Sequence, residues 1–391
     1  MKVSISNLLF FVLCFCFIQC NVDDTAKSCE DTHAIVTIDK TYPAVHIDLD
    51  LDKKPYDFRV YDVFDNNERT VLSYYTDEEH TIQMVDLNES IFLPSIPLAK
   101  EGTNKVESVN DIIVHNKDSI FVFSGELQQI YLINGQGAVI KKIDLAKILE
   151  NEKLPTYVVS NSPESKIIYW SDKKLLIFQV TYELSDSYYT PELYKHPFIG
   201  LYSLENEKLE KIGRYPESYQ ENETAFEDYY PIATDFKDKI VTCYGVSHHV
   251  GATNLSNQST EFYCAKSNFL GTSFNLLQYD APFPKRNEFY RTSGFYTKIL
   301  YDKYNNCYYR LVKHDQNNKD ENDKLSQYLQ SKWSILVLDN QLNVVKEAIF
   351  DDKLYDFDII AVTRNGLLIS KENPFSSSNQ EEVLSFDLIK I

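Results

Sequence analysis

Glycine is scarce in this chain, at 11 of 391 residues, and proline stands at 13, which excludes a collagen-like repeat and Gly/Pro-rich low-complexity sequence. Methionine and tryptophan occur twice each, so a methionine-rich, adaptable binding surface is excluded too. Positive charge is short. Thirty-nine Lys and Arg stand against 58 Asp and Glu, a net charge of −19 at pH 7, and the resulting field repels phosphate backbones. No nucleic-acid partner is expected. Past residue 18 no apolar run approaches the roughly 20 residues that a membrane-spanning helix needs. What the chain has in quantity is aromatic side chains, 28 Tyr and 23 Phe. Aromatic rings suit the half-buried pleated surface of a sheet and favour strands over helices. The hydrophobic fraction of 43% is ample for a packed core.

The single apolar run, residues 8–18 (LLFFVLCFCFI), follows Met1-Lys2 and precedes Gln19-Cys20. Length, position and the flanking Lys identify residues 1–19 as a signal peptide. Cys20 stands where bacterial lipoprotein signals place the cysteine that is cleaved and acylated, which predicts a membrane partner through a lipid anchor at Cys20. The residue before it is Gln19 rather than the usual small residue, so ordinary signal cleavage stays open. Residues 20–33, opening with Asn21-Val22-Asp23-Asp24, read as a tether, which suits an outer-membrane lipoprotein facing the periplasm or the cell surface. Beyond the signal, Cys20, Cys29, Cys243, Cys264 and Cys307 remain, which is no disulfide scaffold. Cys243 and Cys264 are near enough in sequence to sit on adjacent strands, and either a bridge or two buried thiols fits them.

From residue 34 onward, short β-branched and aromatic runs alternate with Asn, Asp, Lys and Ser clusters, an all-β pattern. A strand–turn–strand signature recurs. It reads IYLINGQGAVIKKIDL at 130–145, LYSLENEKLEKIG at 201–213 and WSILVLDNQLNVVKE at 333–347. Weaker copies stand at 81–93, 261–269 (EFYCAKSNF) and 383–391 (VLSFDLIKI). Six units with room for four short strands each predict a six-bladed β-propeller over residues 34–391. The last copy ends the chain before a fourth strand can form. Residues 34–52 are therefore expected to close the ring beside 383–391, removing an exposed sheet edge.

The lipoprotein-like start, the six hairpin units, the NNCYYRLVKHD strand at 305–315 and the WSILVLDNQLNVVKE hairpin together resemble the uncharacterised six-bladed β-propeller lipoproteins of gram-negative bacteria, family 4221 of domains of unknown function. The resemblance covers residues 34–391. That family has no assigned activity, so the resemblance implies a fold and export but no catalytic residue.

GxGxxG, GxxxxGK[ST], HExxH, GxSxG and CxxC are all missing, and no catalytic residue, metal or cofactor is expected. His248-His249 reads as a solvated loop, and residues 315–323 as a charged hairpin tip without the spacing of a calcium loop. Two aromatic stretches interrupt the strand pattern. Residues 215–231 combine Tyr215, Tyr219, Tyr229 and Tyr230 with carboxylates including Glu227 and Asp228. Residues 282–296 combine Lys285, Arg286 and Arg291 with Tyr290. Exposed rings beside carboxylates stack on sugar faces and bond hydroxyls, so both stretches are candidate binding surfaces for a protein or glycan ligand. The alternative is a carbohydrate-active hydrolase or lyase using the mouth of the central channel, which needs two carboxyls facing one cleft.

Overall fold

The repeated hairpins belong to six sheets of four or five strands, antiparallel but for one added strand, arranged as the blades of a propeller. The protein, seen here as a computed structural model, is described at residues 29, 33–38, 45–48, 59–66, 69–150, 152, 154–159, 165–182, 192–221, 231–277, 281–316, 327–350, 354–377 and 383–391. The signal segment, Cys20, and residues 222–230 with Glu227, Asp228, Tyr229 and Tyr230 lie outside the described residues.

Each blade is a meander. Blade 1 runs through Tyr61–Asn66, Arg69–Thr76, Thr81–Asp86 and Ile91–Pro97, and blade 2 through Asp111–Asn116, Ser119–Ser124, Gln129–Ile133 and Val139–Asp144. In blade 3 the innermost position is split between Thr156–Val159 and Ile168–Trp170, both paired to Leu175–Tyr182. Ile199–Ser203 and Leu209–Ile212 complete that blade. Blade 4 comprises Ile232–Thr234, Lys239–Cys243, His249–Asn254 and Thr260–Cys264, and blade 5 Phe295–Asp302, Cys307–Lys313, Trp333–Leu338 and Val344–Phe350. Blade 6 has Asp356–Thr363, Gly366–Ser370 and Val383–Ile389 from the C-terminal end, and its fourth strand is Val45–Asp48. That strand pairs antiparallel with Val383–Ile389, Val45 opposite Phe386 and Asp48 opposite Val383, closing the ring with both ends of the chain. Ala34–Thr37 does something the sequence did not announce: it adds a fifth, parallel strand outside blade 5, Ala34 opposite Lys346.

Middle strands such as Thr81–Asp86 and Trp333–Leu338 are buried at every position, because neighbouring blades cover both faces of the sheet. Trp333–Leu338 accordingly reads as a nearly unbroken apolar run, while Thr81–Asp86 buries Thr81, Gln83 and Asp86 along with its apolar residues. Five hydrophobic clusters fill the spaces between blades. The third-to-fourth-strand turns account for the low glycine content. Ser90, Glu207, Gln258 and Leu342 take the left-handed backbone there, at φ 54, 56, 59 and 69°. In three of these turns an Asp or Asn at the start accepts from the turn amides, as Asp86 does from Asn88 and Glu89, Asn254 from Ser256 and Asn257, and Asp339 from Gln341 and Asn343. Blade 2 keeps its glycine. A Cβ on Gly137 would meet the Pro97 carbonyl oxygen at 2.0 Å.

Two expectations need correction. The fourth hairpin is His249–Asn254 with Thr260–Cys264, so the copy placed at 261–269 is displaced by one strand. Its true third strand carries Gly251 and Ala252 instead of bulky residues, and a Cβ at 251 would meet the Tyr244 hydroxyl at 2.7 Å. Cys264 is bonded to Cys29, not to Cys243. Cys243 lies opposite Val250 and Cys264 opposite His249, with the strand His249–Asn254 between them. Two strand spacings are about 10 Å, beyond the roughly 7 Å limit for a bridge. Cys243 is a buried thiol and Cys307 a half-buried one.

Candidate functional site in the central channel

A four-stranded meander puts its first-to-second and third-to-fourth turns at one end, and its second-to-third turns and blade-to-blade links at the other. The first end carries short turns, such as 117–118 and 364–365. The other carries the long links that follow Leu209–Ile212 and Thr260–Cys264, so the described parts of both aromatic stretches, 215–221 and 282–294, belong to that face.

Along the axis, the innermost strands surround a cavity of about 290 Å³ that every blade helps to line. Its wall has two characters. Ile113, Ile168, Ile232, Ala233, Ile299 and Ile360 are apolar, while Tyr61, Asp62, Lys166 and Lys298 are polar. Phe236 and Tyr301 flank the end nearer the short turns, and Phe236 is 41% exposed.

The polar residues sew blades together at the axis. Tyr61 of blade 1 donates its hydroxyl to the Ile360 carbonyl of blade 6 at 2.9 Å and accepts from the Ile360 amide at 2.9 Å. Asp62 Oδ2 accepts from the Val114 amide of blade 2 at 2.7 Å, and Asp111 Oδ2 from the Ile167 amide of blade 3 at 2.7 Å. Lys166 donates to the Tyr61 carbonyl and lies 3.6 Å from Asp62 and 4.0 Å from Asp111. Lys298 of blade 5 is buried and donates to the Asp358 carbonyl of blade 6. Blade 4 faces this ring with Ile232, Ala233 and Thr234. The channel wall therefore mixes polar side chains from blades 1, 3 and 5 with apolar ones from blades 2 to 6.

Burial pushes the Asp62 carboxyl above its ordinary range, partly offset by Lys166. Burial, with the neighbouring Asp358 charge, pushes Asp356 up to about 7. Burial also raises the Tyr61 hydroxyl, which stays protonated as a donor. Among the described residues no group of three or more His, Cys, Asp or Glu gathers in metal-binding geometry.

The residues singled out in the sequence sit elsewhere. Tyr215 and Tyr219 are core residues at 2% and 3% exposure, so they offer no face to a ligand. They pack with Tyr194 and Phe198, Tyr215 lying 4.3 Å from the Phe198 ring and Tyr219 5.4 Å from Tyr194, and the Tyr219 hydroxyl accepts from the Val246 amide. A long link needs its own core, and aromatics supply it. Residues 282–296 form the helix Phe283–Thr292 and the start of blade 5, with Lys285 exposed and Arg286, Tyr290 and Arg291 half-buried. Arg286 Nε donates to the Ala281 carbonyl, Tyr290 packs edge-on against Phe289 and Phe295, and the Arg291 carbonyl accepts from Lys313. His248 is not solvated: its ring lies 4.5 Å from Phe274 and bonds the Tyr296 hydroxyl at 3.0 Å, and burial with the Arg310 charge holds its pKa near 4. Residues 317–326 of the charged tip lie outside the described residues.

The channel residues went unnoticed although a signal was present. Asp62 and Lys298 are charges inside innermost strands (YDVFDN and FYTKILYD), and Lys166 stands two residues before another, Ile168–Trp170. A charge in a strand whose neighbours are apolar marks a channel-facing position, provided the blade order is known.

The fold and this cavity define the class: a six-bladed β-propeller with an axial, amphipathic pocket. Within that class the chain belongs to the family described as domain of unknown function DUF4221, which matches residues 39–349. The crystal structure of a DUF4221 member from Bacteroides vulgatus superposes with a TM-score of 0.76 over 89% of this chain and 96% of that one, at 20% identity, and so shares its fold. A putative exported protein from Bacteroides fragilis aligns over 92% of this chain and all (100%) of that one, at 9% identity and a TM-score of 0.48. No curated protein matches the chain.

Proposed function

We propose that the protein is an exported, lipid-anchored envelope propeller that binds a small ligand in its axial cavity without chemically transforming it. The observation that carries this reading is the cavity itself, about 290 Å³, with an apolar wall and a few converging polar groups, the usual composition of a ligand site. Glycan hydrolysis would need two carboxyls facing one cleft. Among the described residues Asp62 is the carboxyl lining this cavity, and it already serves Lys166 and the Val114 amide. Binding of a protein or glycan on the link face loses support with the burial of Tyr215 and Tyr219.

Export is supported by the apolar run before Cys20 and by the Cys29–Cys264 disulfide, which suits an oxidising compartment. A small-molecule thermal-shift screen on the mature chain and on Ile168→Trp, which fills the cavity, tests the binding site. Compounds that raise the wild-type Tm should leave the variant's unchanged, and equal shifts in both proteins would place binding outside the channel. Mass spectrometry of the mature N-terminus should find Cys20 acylated. An unmodified terminus starting beyond Cys20 would remove the anchor.

A further inference from the structure

We infer that the axial cavity takes an uncharged aromatic molecule, one or two rings bearing neutral polar groups only, seated at the short-turn end against Tyr169, Phe236 and Tyr301. The inference rests on the cavity being a ligand site and names the class of that ligand. The charges on the wall are matched within the protein. Lys166 Nζ donates to the Tyr61 carbonyl and lies 3.6 Å from Asp62 and 4.0 Å from Asp111, so two carboxyls flank one ammonium. Asp62 also accepts from the Val114 amide. Lys298 Nζ donates to the Asp358 carbonyl, the same oxygen that the Tyr61 hydroxyl reaches at 3.2 Å, and the carboxyls of Asp356 and Asp358 belong to that strand. An ionised guest would leave water and meet no unmatched charge here, and taking an ion out of water without a counter-charge is costly. A neutral guest carries no such cost.

The short-turn end of the cavity offers rings. Innermost strands run from the link end to the short-turn end, so Tyr169 in Ile168–Trp170, Phe236 in the turn after Ile232–Thr234 and Tyr301 near the end of Phe295–Asp302 come together there from blades 3, 4 and 5. Each is held by its neighbours. Tyr169 packs 4.7 Å from the Phe121 ring and edge-on to His115 at 5.1 Å, while Tyr301 lies 5.0 Å from Tyr308 and donates its hydroxyl to Asn306 Oδ1 at 2.9 Å.

Phe236 meets Trp170 edge-on at 6.0 Å and takes a left-handed backbone, φ 54°, which is uncommon for a bulky residue. Its amide donates to Thr234 Oγ1, and the Asp235 carboxylate caps the next three amides, so the turn is fixed while the ring keeps 41% of its surface exposed. A guest ring lying against these three side chains gains the offset or edge-on contacts that aromatic pairs prefer. Ile168, Ile232 and Ile299 continue the wall with apolar surface. A volume of about 290 Å³ lies at the small end for ligand sites, which favours one or two rings over an oligosaccharide.

The test is calorimetric titration of the mature full chain with 3-phenylpropanamide, with the ions 3-phenylpropanoate and 3-phenylpropylammonium, and with the ringless hexanamide. The phenyl amide should bind roughly tenfold tighter than either ion, a difference of about 1.4 kcal/mol. It should also bind several-fold tighter than hexanamide. Phe236→Gly removes the ring where a left-handed backbone suits glycine, and it should bring the phenyl amide down to the level of hexanamide. An ion that binds as tightly as the phenyl amide overturns the neutral preference, and hexanamide binding equally overturns the aromatic one. Either result leaves the cavity as a ligand site, whereas failure of all four probes overturns both. The wild-type comparison needs no variant, and Tyr301→Leu replaces Phe236→Gly if the latter does not fold.

Discussion

Arg310 lies at 0% exposure in the second strand of blade 5, and the surroundings supply its counter-charge in parts. Its two terminal nitrogens donate to the carbonyls of Tyr244, Ser247, His248, His249 and Ala265, at 2.7 to 3.2 Å, and its guanidinium lies over the Tyr296 ring. One side chain thereby fixes a blade 4 turn against blade 5. Lysine cannot reproduce that fork, so Arg310→Lys should lose about 2–4 kcal/mol in urea unfolding, as several carbonyls are left buried without a donor. Unchanged stability would mean that water replaces the fork. Tyr219→Ala should cost about 3–5 kcal/mol, the range for emptying a buried aromatic site. A loss below 1 kcal/mol would return that residue to the surface. Asp356 gives a pH signature. Its folded pKa is raised above the unfolded value, so the native state binds the proton more tightly, and the associated stability, full below about pH 4, is lost as pH rises through about 7. Asp356→Asn should therefore raise Tm relative to wild type at pH 8 and not at pH 4. Equal differences at both pH values would show that this carboxyl does not titrate as stated.

At the scale of the element, the N-terminal segment is a strap rather than a simple closing strand. Cys29 is bonded to the outer strand of blade 4, Ala34–Thr37 lies on blade 5, and Val45–Asp48 completes blade 6. His33 adds a polar clasp: its Nε2 meets the buried Glu347 carboxylate at 3.0 Å, where Ser267 and Ser334 also donate at 2.6 Å. The tether expected over residues 20–33 is thus fastened from Cys29 onward. The disulfide closes a loop of 235 residues. Chain entropy for a loop of that size is worth about 5 kcal/mol. Cys29→Ser should accordingly lower Tm by several degrees under oxidising conditions and be indifferent to reductant. A wild-type Tm that does not respond to dithiothreitol would show that strand pairing alone holds the strap.

At the scale of the whole molecule, ring closure decides whether six blades act as one body. Deleting residues 384–391 removes most of the third strand of blade 6, separates Val45–Asp48 from its partner and uncovers the edge of Gly366–Ser370. The truncated chain should melt well below the mature protein and aggregate, since an unpaired edge templates further pairing. Equal melting would mean that closure contributes little. The two faces also differ. Short turns bound one end, while long links with their own aromatic cores bound the other.

The all-β class, the six hairpin units and the ring closed by residues from both ends could be read from the chain alone, because apolar runs separated by Asn- and Asp-rich turns are local signals and a period needs no coordinates. The family resemblance lay in the same segments. Other features are tertiary. Partnership of Cys264 with Cys29 instead of Cys243 depends on which strand lies between them. The rings of Tyr215 and Tyr219 look the same in sequence whether they face solvent or pack on Phe198 and Tyr194, and the length of the link that must build its own core decided for burial. Asp62, Lys166 and Lys298 are far apart in the chain, and each alone is an ordinary charge near a strand. Only the closing of six innermost strands around one axis brings them to Tyr61 and turns scattered charges into a cavity wall, because side chains on the inner edges of a propeller meet across the channel and nowhere else.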